Sequence, residues 1–273
     1  MSGFDGDGFL AALPVAGGAV LAVLALTFAS SRIAGRHSVV DTAWGLLFAA
    51  AAGAVFVRSA GSGDGLRRWL LLALTVLWGL RLAVHIGRRS VGKPEDPRYE
   101  RLLARAPRHP DLYALLVVYL LQGVLAFVVA APVLVGCFER SPVGPLAWLG
   151  VALWVVGVFF EAVGDAQLER FRRDPANRGR VMDIGLWRYT RHPNYFGDAC
   201  VWLGIFLVAA AGRPGVLTLP APVLMTALLT KGSGARILER HMAGRPGWAE
   251  YAARTPAFVP RPPGLAQLRN ARR

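Results

Sequence analysis

Seven apolar runs separated by short polar loops constrain this chain more than any other feature, at about 9–29, 42–57, 69–86, 112–138, 145–163, 195–211 and 214–230. A helix needs about 20 residues to cross a hydrocarbon core, and shorter runs suffice where the bilayer thins. No water is available in lipid to satisfy backbone N–H and C=O groups, so each crossing run must be helical. The expected fold is therefore all-α, a polytopic membrane protein with about seven transmembrane helices. Composition agrees, because 54% hydrophobic and 18% charged residues lie outside the usual mix of a soluble domain. The Gly-Arg-Pro-Gly at 212–215 either turns the last two runs into a tight hairpin or breaks one helix.

The net charge of +14 does not point to nucleic acid, because the basic residues fall in short clusters between apolar runs. Such clusters suit anionic membrane lipids or an anionic cofactor. With seven crossings, 25 of the 31 Lys and Arg residues fall on one side and five on the other, with Arg81 inside a span. Positive residues are retained on the cytoplasmic side, which places the N-terminus outside and the C-terminus in the cytoplasm. The acidic start Met-Ser-Gly-Phe-Asp-Gly-Asp-Gly lacks the basic region of a secretory signal, so the first run reads as a retained helix. Two cysteines, Cys137 and Cys200, sit in or beside apolar runs, and His37, His109 and His241 lack ligand spacing; no disulfide framework and no metal is expected. With no internal repeat, residues 1–262 read as a single integral membrane domain, followed by a basic C-terminal tail at 263–273.

Ionisable residues within spans are costly in lipid and point to pairing or function. Arg81 and His85 share one helical face, and Glu161 and Asp165 lie one turn apart on the fifth run. These side chains are expected either to form an intramembrane ion pair, such as Arg81 with Glu161, or, with Gln122, to line a polar cavity opening to the cytoplasm. The stretch Asp183-Ile-Gly-Leu-Trp-Arg-Tyr-Thr-Arg-His-Pro-Asn-Tyr-Phe-Gly-Asp198 joins a basic loop to the sixth run. Pro193 biases His192 away from helical geometry, so a helix is expected to begin near Asn194. A helix start offers free N–H groups, and Arg188, Arg191 and His192 lie on its loop side, a suitable place for a phosphate or pyrophosphate. The alternative is an interfacial loop with Trp187, Tyr189 and Tyr195 as headgroup anchors.

That stretch resembles the C-terminal signature of the steroid 5α-reductase-like membrane proteins, most closely their bacterial DUF1295 branch. Asp41-Thr-Ala-Trp44-Gly45, Trp78-Gly-Leu-Arg81-Leu, Glu95-Asp-Pro-Arg-Tyr99, Glu161-Ala-Val-Gly-Asp165-Ala-Gln and the segment from Glu250-Tyr251 to Pro260 resemble other recurring segments of the branch. The resemblance implies a seven-helix oxidoreductase in a bacterial plasma membrane that binds NADPH from the cytoplasm. It implies reduction of a carbon–carbon double bond conjugated to a carbonyl in a hydrophobic, steroid-like or lipid substrate. Glu161, Asp165, Arg172, Asn194 and Asp198 fall at the family's dinucleotide-contacting positions, with Glu161 and Asp198 departing from its Asn and Glu. Arg188, Arg191, His192 and Tyr195 complete the expected cofactor site. For catalysis the nearest counterpart of the family's Glu is Asp41, while Trp78 stands at the Tyr position, leaving His85 as the expected proton donor and Tyr99 as a further one. The Arg191-His192-Pro193-x-Tyr195-x-Gly197 core is shared in similar form by isoprenylcysteine and phospholipid methyltransferases. An S-adenosylmethionine-dependent membrane methyltransferase is therefore the rival enzyme, and a non-catalytic lipid-binding relative the rival without turnover.

Overall fold

A computed structural model describes residues 3–232 and 234–263. In chain order its elements are α1 (Gly6–Ala34), α2 (Val39–Arg58), α3 (Gly65–Ser90), the short α4 (Pro97–Leu103), α5 (Pro110–Ala114), a π-helical stretch (Leu115–Leu120), α6 (Leu121–Val129) and α7 (Ala131–Gly136). They continue with α8 (Pro145–Arg173), α9 (Pro193–Ala209), α10 (Arg213–Val216), α11 (Pro220–Thr230), α12 (Ala235–Met242) and α13 (Trp248–Arg254). Among the described residues there is no strand beyond one isolated bridge between Phe4 and Glu139. Among the described residues six helices, α1, α2, α3, Pro110–Val129, α8 and Arg213–Met242, are long and apolar enough to cross a membrane, and the 17-residue α9 is a shorter apolar helix. The protein is thus an all-α polytopic membrane protein.

The helices run past the apolar stretches because local chemistry caps them beyond the hydrophobic edge. Asp64 accepts from Arg67 N–H at 2.8 Å and starts α3 four residues before Trp69. Arg67 is fully buried in that first turn, and its guanidinium donates to the carbonyls of Val208, Ser141 and Pro142. Gly35 ends α1 at φ 65°, the left-handed conformation that closes a helix without a Cβ clash. Helix α2 receives its cap from far away: the Glu95 carboxylate accepts the backbone N–H groups of His37 and Ser38. At 212–215 the chain turns, since α9 ends at Ala209 and α10 begins at Arg213. A Cβ on Gly215 would lie 2.0 Å from Ala209 O, so only glycine permits that turn. Residues 264–273 of the basic tail lie outside the described residues.

The chain divides into two compact units, Met1–Val151 with Ile205–Ala221, and Ala152–Gly204 with Pro222–Arg273. In the first, α2 packs along both α1 and α3. The α2–α3 crossing is built on glycine: a Cβ on Gly45 would sit 2.1 Å from Gly79 O, and one on Gly79 2.4 Å from Gly45 O. Small residues allow such close backbone approach where lipid supplies no hydrophobic drive to association. Trp44, Phe48 and Trp78 stack edge to face beside it. In the second unit the same device recurs on α8 and α9, where a Cβ on Gly157 would meet Gly197 O at 2.5 Å and one on Gly197 would meet Gly157 O at 2.4 Å.

Candidate functional site

In the second unit the glycine crossing carries polar groups with it. Glu161 and Asp165 follow Gly157 by one and two turns on α8, and both are buried, as is Asp198 beside Gly197 on α9. Asn194 Nδ2 donates to Asp165 Oδ1 at 3.1 Å, a bond between α9 and α8. The helix start is where the sequence suggests: Pro193 is the first residue of α9, and the His192 carbonyl accepts the first helical bond, from Phe196 N–H at 3.0 Å. Gly164 lets α8 close on Pro193, since a Cβ there would lie 3.1 Å from the proline ring.

The loop before α9 is fixed by residues that looked like ligands or anchors in the sequence. Gln167 accepts from Leu186 N–H at 2.9 Å and crowds Gly185, which turns at φ 61°. Trp187 Nε1 donates to Gly164 O at 3.0 Å, and Tyr251 Oη donates to Trp187 O at 2.6 Å. Arg191 donates to Glu239 Oε1 at 2.8 Å and to the carbonyls of Ala252 and Thr255, so its guanidinium ties α12 and the end of α13 to the loop. His192 is 1% exposed, stacks on Tyr195 with ring centroids 5.4 Å apart, and meets Glu239 Oε1 through Nε2 at 3.0 Å. Its Nδ1 is buried without a hydrogen-bond partner. Burial pushes the His192 pKa below its usual value, the Glu239 bond opposes this, and the Arg191 charge reinforces it.

Beside this loop lies a cavity of about 420 Å³, within the roughly 300–1,000 Å³ of small-molecule sites. Arg172, Arg173, Arg178, Arg180, Arg191 and Arg245 line it with His192 and His241, against a single acid, Asp174; Trp187, Trp248 and Tyr251 supply flat aromatic surface. Of the nine expected cofactor residues, Arg172, Arg191 and His192 line this cavity, and Arg188 lines a smaller one. Glu161, Asp165, Asn194 and Asp198 belong to the α8–α9 contact, and Tyr195 joins it to His192. Sequence reasoning missed Arg178, Arg180, Arg245 and Trp248. Arg178 and Arg180 were legible only as members of a basic loop, and no local pattern marked the other two.

The first unit holds a separate polar cluster at the start of α2. Asp41 is half-buried, and its Oδ1 accepts from Tyr99 Oη at 2.6 Å while Oδ2 accepts from Arg98 at 3.0 Å. Burial and the Asp41 charge push the Tyr99 pKa well above its usual value, so this hydroxyl keeps its proton throughout the physiological range. Asp96, as the cap of α4, helps to aim Arg98 through a 3.0 Å bond. His37 Nε2 meets Asp111 Oδ1 at 3.0 Å in the same region. Trp78 is fully buried against Phe48. His85 lies half-buried on α3, two turns beyond it. Among the described residues no group of three or more His, Cys, Asp or Glu side chains is arranged to hold a metal ion.

The model of the family described as "Protein of unknown function (DUF1295)" matches residues 27–255. An uncharacterised protein of the fission yeast Schizosaccharomyces pombe is 25% identical over 206 residues, which are 66% of this chain and 59% of the yeast protein. The chain thus spans less than two thirds of that relative's length.

Proposed function

The chain belongs to the DUF1295 family, and on that premise we propose an NADPH-dependent membrane reductase of a conjugated carbon–carbon double bond in a hydrophobic, steroid-like or lipid substrate. The observation that carries the reading is the basic cavity of the second unit. Arg178, Arg180 and Arg245 line it with exposed side chains and have no acidic partner among the described residues. Guanidinium groups match phosphate oxygens in pairs, and Trp248 and Trp187 offer faces for a planar base. A dinucleotide carrying an extra 2′-phosphate suits this charge better than one without it. S-adenosylmethionine, which carries a sulfonium cation, suits it worse.

In this reading Arg178, Arg180 and Arg245 hold phosphate groups, and His192 forms part of the cavity wall beside them. NADPH, when bound, supplies the hydride. The reaction also needs a proton for the enolate that hydride addition generates; Asp41 and His85 are the proposed catalytic residues of the first unit, with Tyr99 as a further donor. The Tyr99 hydroxyl is held protonated by burial and by its bond to Asp41; acting as donor requires that this proton turn from Asp41 to the substrate oxygen. The proposed setting is a bacterial plasma membrane with the basic side, and so the cavity, facing the cytoplasm. The excess of Lys and Arg on one side of the spans supports that orientation.

The test is a thermal-unfolding titration of detergent-purified protein with NADPH, NADH and S-adenosylmethionine in parallel, since a ligand that binds the folded state raises its stability. NADPH is expected to stabilise most. The variants Arg178→Gln and Arg245→Gln are each expected to weaken it by about tenfold, on the order of 1.4 kcal/mol. These exposed residues are cleaner probes than Arg191, which also anchors α12 and α13. Equal response to NADH and NADPH, or unaltered affinity in both variants, sinks the cofactor assignment; a response to S-adenosylmethionine alone favours the methyltransferase.

A further inference from the structure

A second basic pocket lies in the same unit, on the C-terminal segment that follows α13. Arg191 N–H donates to Pro256 O at 2.9 Å, Thr190 Oγ1 to Phe258 O at 2.8 Å, and Arg261 N–H to Tyr189 O at 2.9 Å. These bonds pin residues 256–261 against residues 189–191, and prolines 256, 260, 262 and 263 stiffen the segment by fixing φ. Between the two strips is a pocket of about 320 Å³ lined by Arg188, Arg191, Arg254 and Arg261 together with backbone from 252–257, and no acidic side chain lines it. Arg191 is committed to Glu239 and two carbonyls, and Arg254 pairs with Asp183. Arg188 and Arg261 have no acidic partner among the described residues. The walls are therefore fixed by backbone bonds while two guanidinium groups remain uncompensated.

We propose that this pocket binds the phosphodiester headgroup of an anionic membrane lipid. A phosphodiester carries a single negative charge and oxygens that a guanidinium contacts in pairs. The apolar side chains next to the lining arginines argue for a lipid as the source of that group. Tyr189 follows Arg188 and is 40% exposed, and Val259, two residues before Arg261, is 60% exposed. An exposed aromatic and an exposed aliphatic beside uncompensated arginines match the mixed chemistry of a bilayer interface, where the headgroup is charged and the glycerol and upper acyl region apolar. The larger cavity differs: its basic residues stand among Trp187, Trp248 and Tyr251. This site does not depend on the reductase reading.

The experiment uses the full chain, purified in a neutral detergent. Thermal unfolding is followed with added short-chain phosphatidylglycerol, short-chain phosphatidylcholine or inorganic phosphate, and lipid retention is read by native mass spectrometry. Phosphatidylglycerol is expected to raise the midpoint saturably and to remain bound, with phosphatidylcholine doing neither. In Arg188→Gln/Arg261→Gln the half-saturating phosphatidylglycerol concentration is expected to rise by about tenfold or more, while Arg89→Gln on α3 leaves it unchanged. Arg261 is exposed, so Arg261→Gln alone carries the test if the double variant does not fold. Equal effects of the two lipids, or phosphatidylglycerol binding untouched by the Arg188 and Arg261 changes, overturn the proposal. Stabilisation by inorganic phosphate alone, lost in the variants, overturns the lipid source and assigns the pocket to a soluble phosphate compound.

Discussion

The α2–α3 crossing of the first unit and the α8–α9 crossing of the second are built by one device and put to different use. Each sets the open side of one glycine against the carbonyl of another, Gly45 with Gly79 and Gly157 with Gly197, and each places a carboxylate one turn from the contact, Asp41 before Gly45 and Glu161 after Gly157. What differs is the loop that closes over the polar end. The 91–111 loop carries acids and bases together, so Asp41 is answered by Tyr99 and Arg98, and Glu95 and Asp96 cap nearby helices. The 170–191 loop carries arginines in excess of acids and leaves several of them facing a cavity. The shared packing sets where a polar group stands; the charge balance of the loop decides whether the loop's own arginines are neutralised or left available to a ligand.

Glycine substitutions challenge that comparison hardest. A Cβ at Gly45 or Gly197 would meet backbone at 2.1 or 2.4 Å, and backbone in two packed helices has little freedom to yield. Gly45→Ala and Gly197→Ala are each expected to cost about 3 kcal/mol or to prevent folding, whereas Gly53→Ala, with open space around its Cβ position, is expected to be neutral. Thermal unfolding in detergent reads both. If either crossing accepts alanine at no cost, the two are not equivalent supports for their clusters.

The polar bonds give the next, smaller contrast. Tyr99→Phe removes the 2.6 Å bond to Asp41, and Asn194→Ala removes the 3.1 Å bond to Asp165. Each is expected to lower stability by about 1–2 kcal/mol, the usual range for bonds to charged groups and for the partner left behind. Denaturant unfolding of the two variants side by side tests the symmetry. A much smaller loss for Asn194→Ala would show that other contacts hold the α8–α9 cluster.

The smallest expected effect is a pH dependence confined to the second unit. Burial lowers the His192 pKa below its usual 6.5, so the unfolded chain binds more protons than the folded one between those two values. The contribution is fully present above pH 6.5 and is lost as pH falls from there through the lowered folded value. The wild-type midpoint should therefore decline on acidification through this window more steeply than that of His192→Gln, in which that position does not titrate. Parallel slopes for the two proteins would remove His192 from the account.

Much of the scaffold was legible before any coordinates. The apolar runs and the α9 start at Pro193 follow from local rules, because helix length in lipid and proline at a first turn depend on residues within a few positions; at 212–215 the sequence left a hairpin and a broken helix open, and the fold decided for the turn. The Glu161–Asp165 spacing also carried through, since a shared helical face is local information. The cap of α2 did not, because its acceptor Glu95 stands 57 residues from Ser38. Arg191 illustrates the same limit at the site: its sequence suggests a ligand contact, and the fold also ties it to Glu239 and to two carbonyls of the C-terminal segment.

By itself, the sequence determined that this is a helical membrane protein of the DUF1295 type with one strongly basic side, because the hydrophobic run length and the loop charges are properties of contiguous residues. The tertiary structure alone decided which polar groups meet: Tyr99 with Asp41 across 58 positions, Glu239 with Arg191 and His192, and Arg178 and Arg245 around one cavity. Such pairings depend on how the closing loops fold back over the helix ends, and no periodicity in the chain records that path.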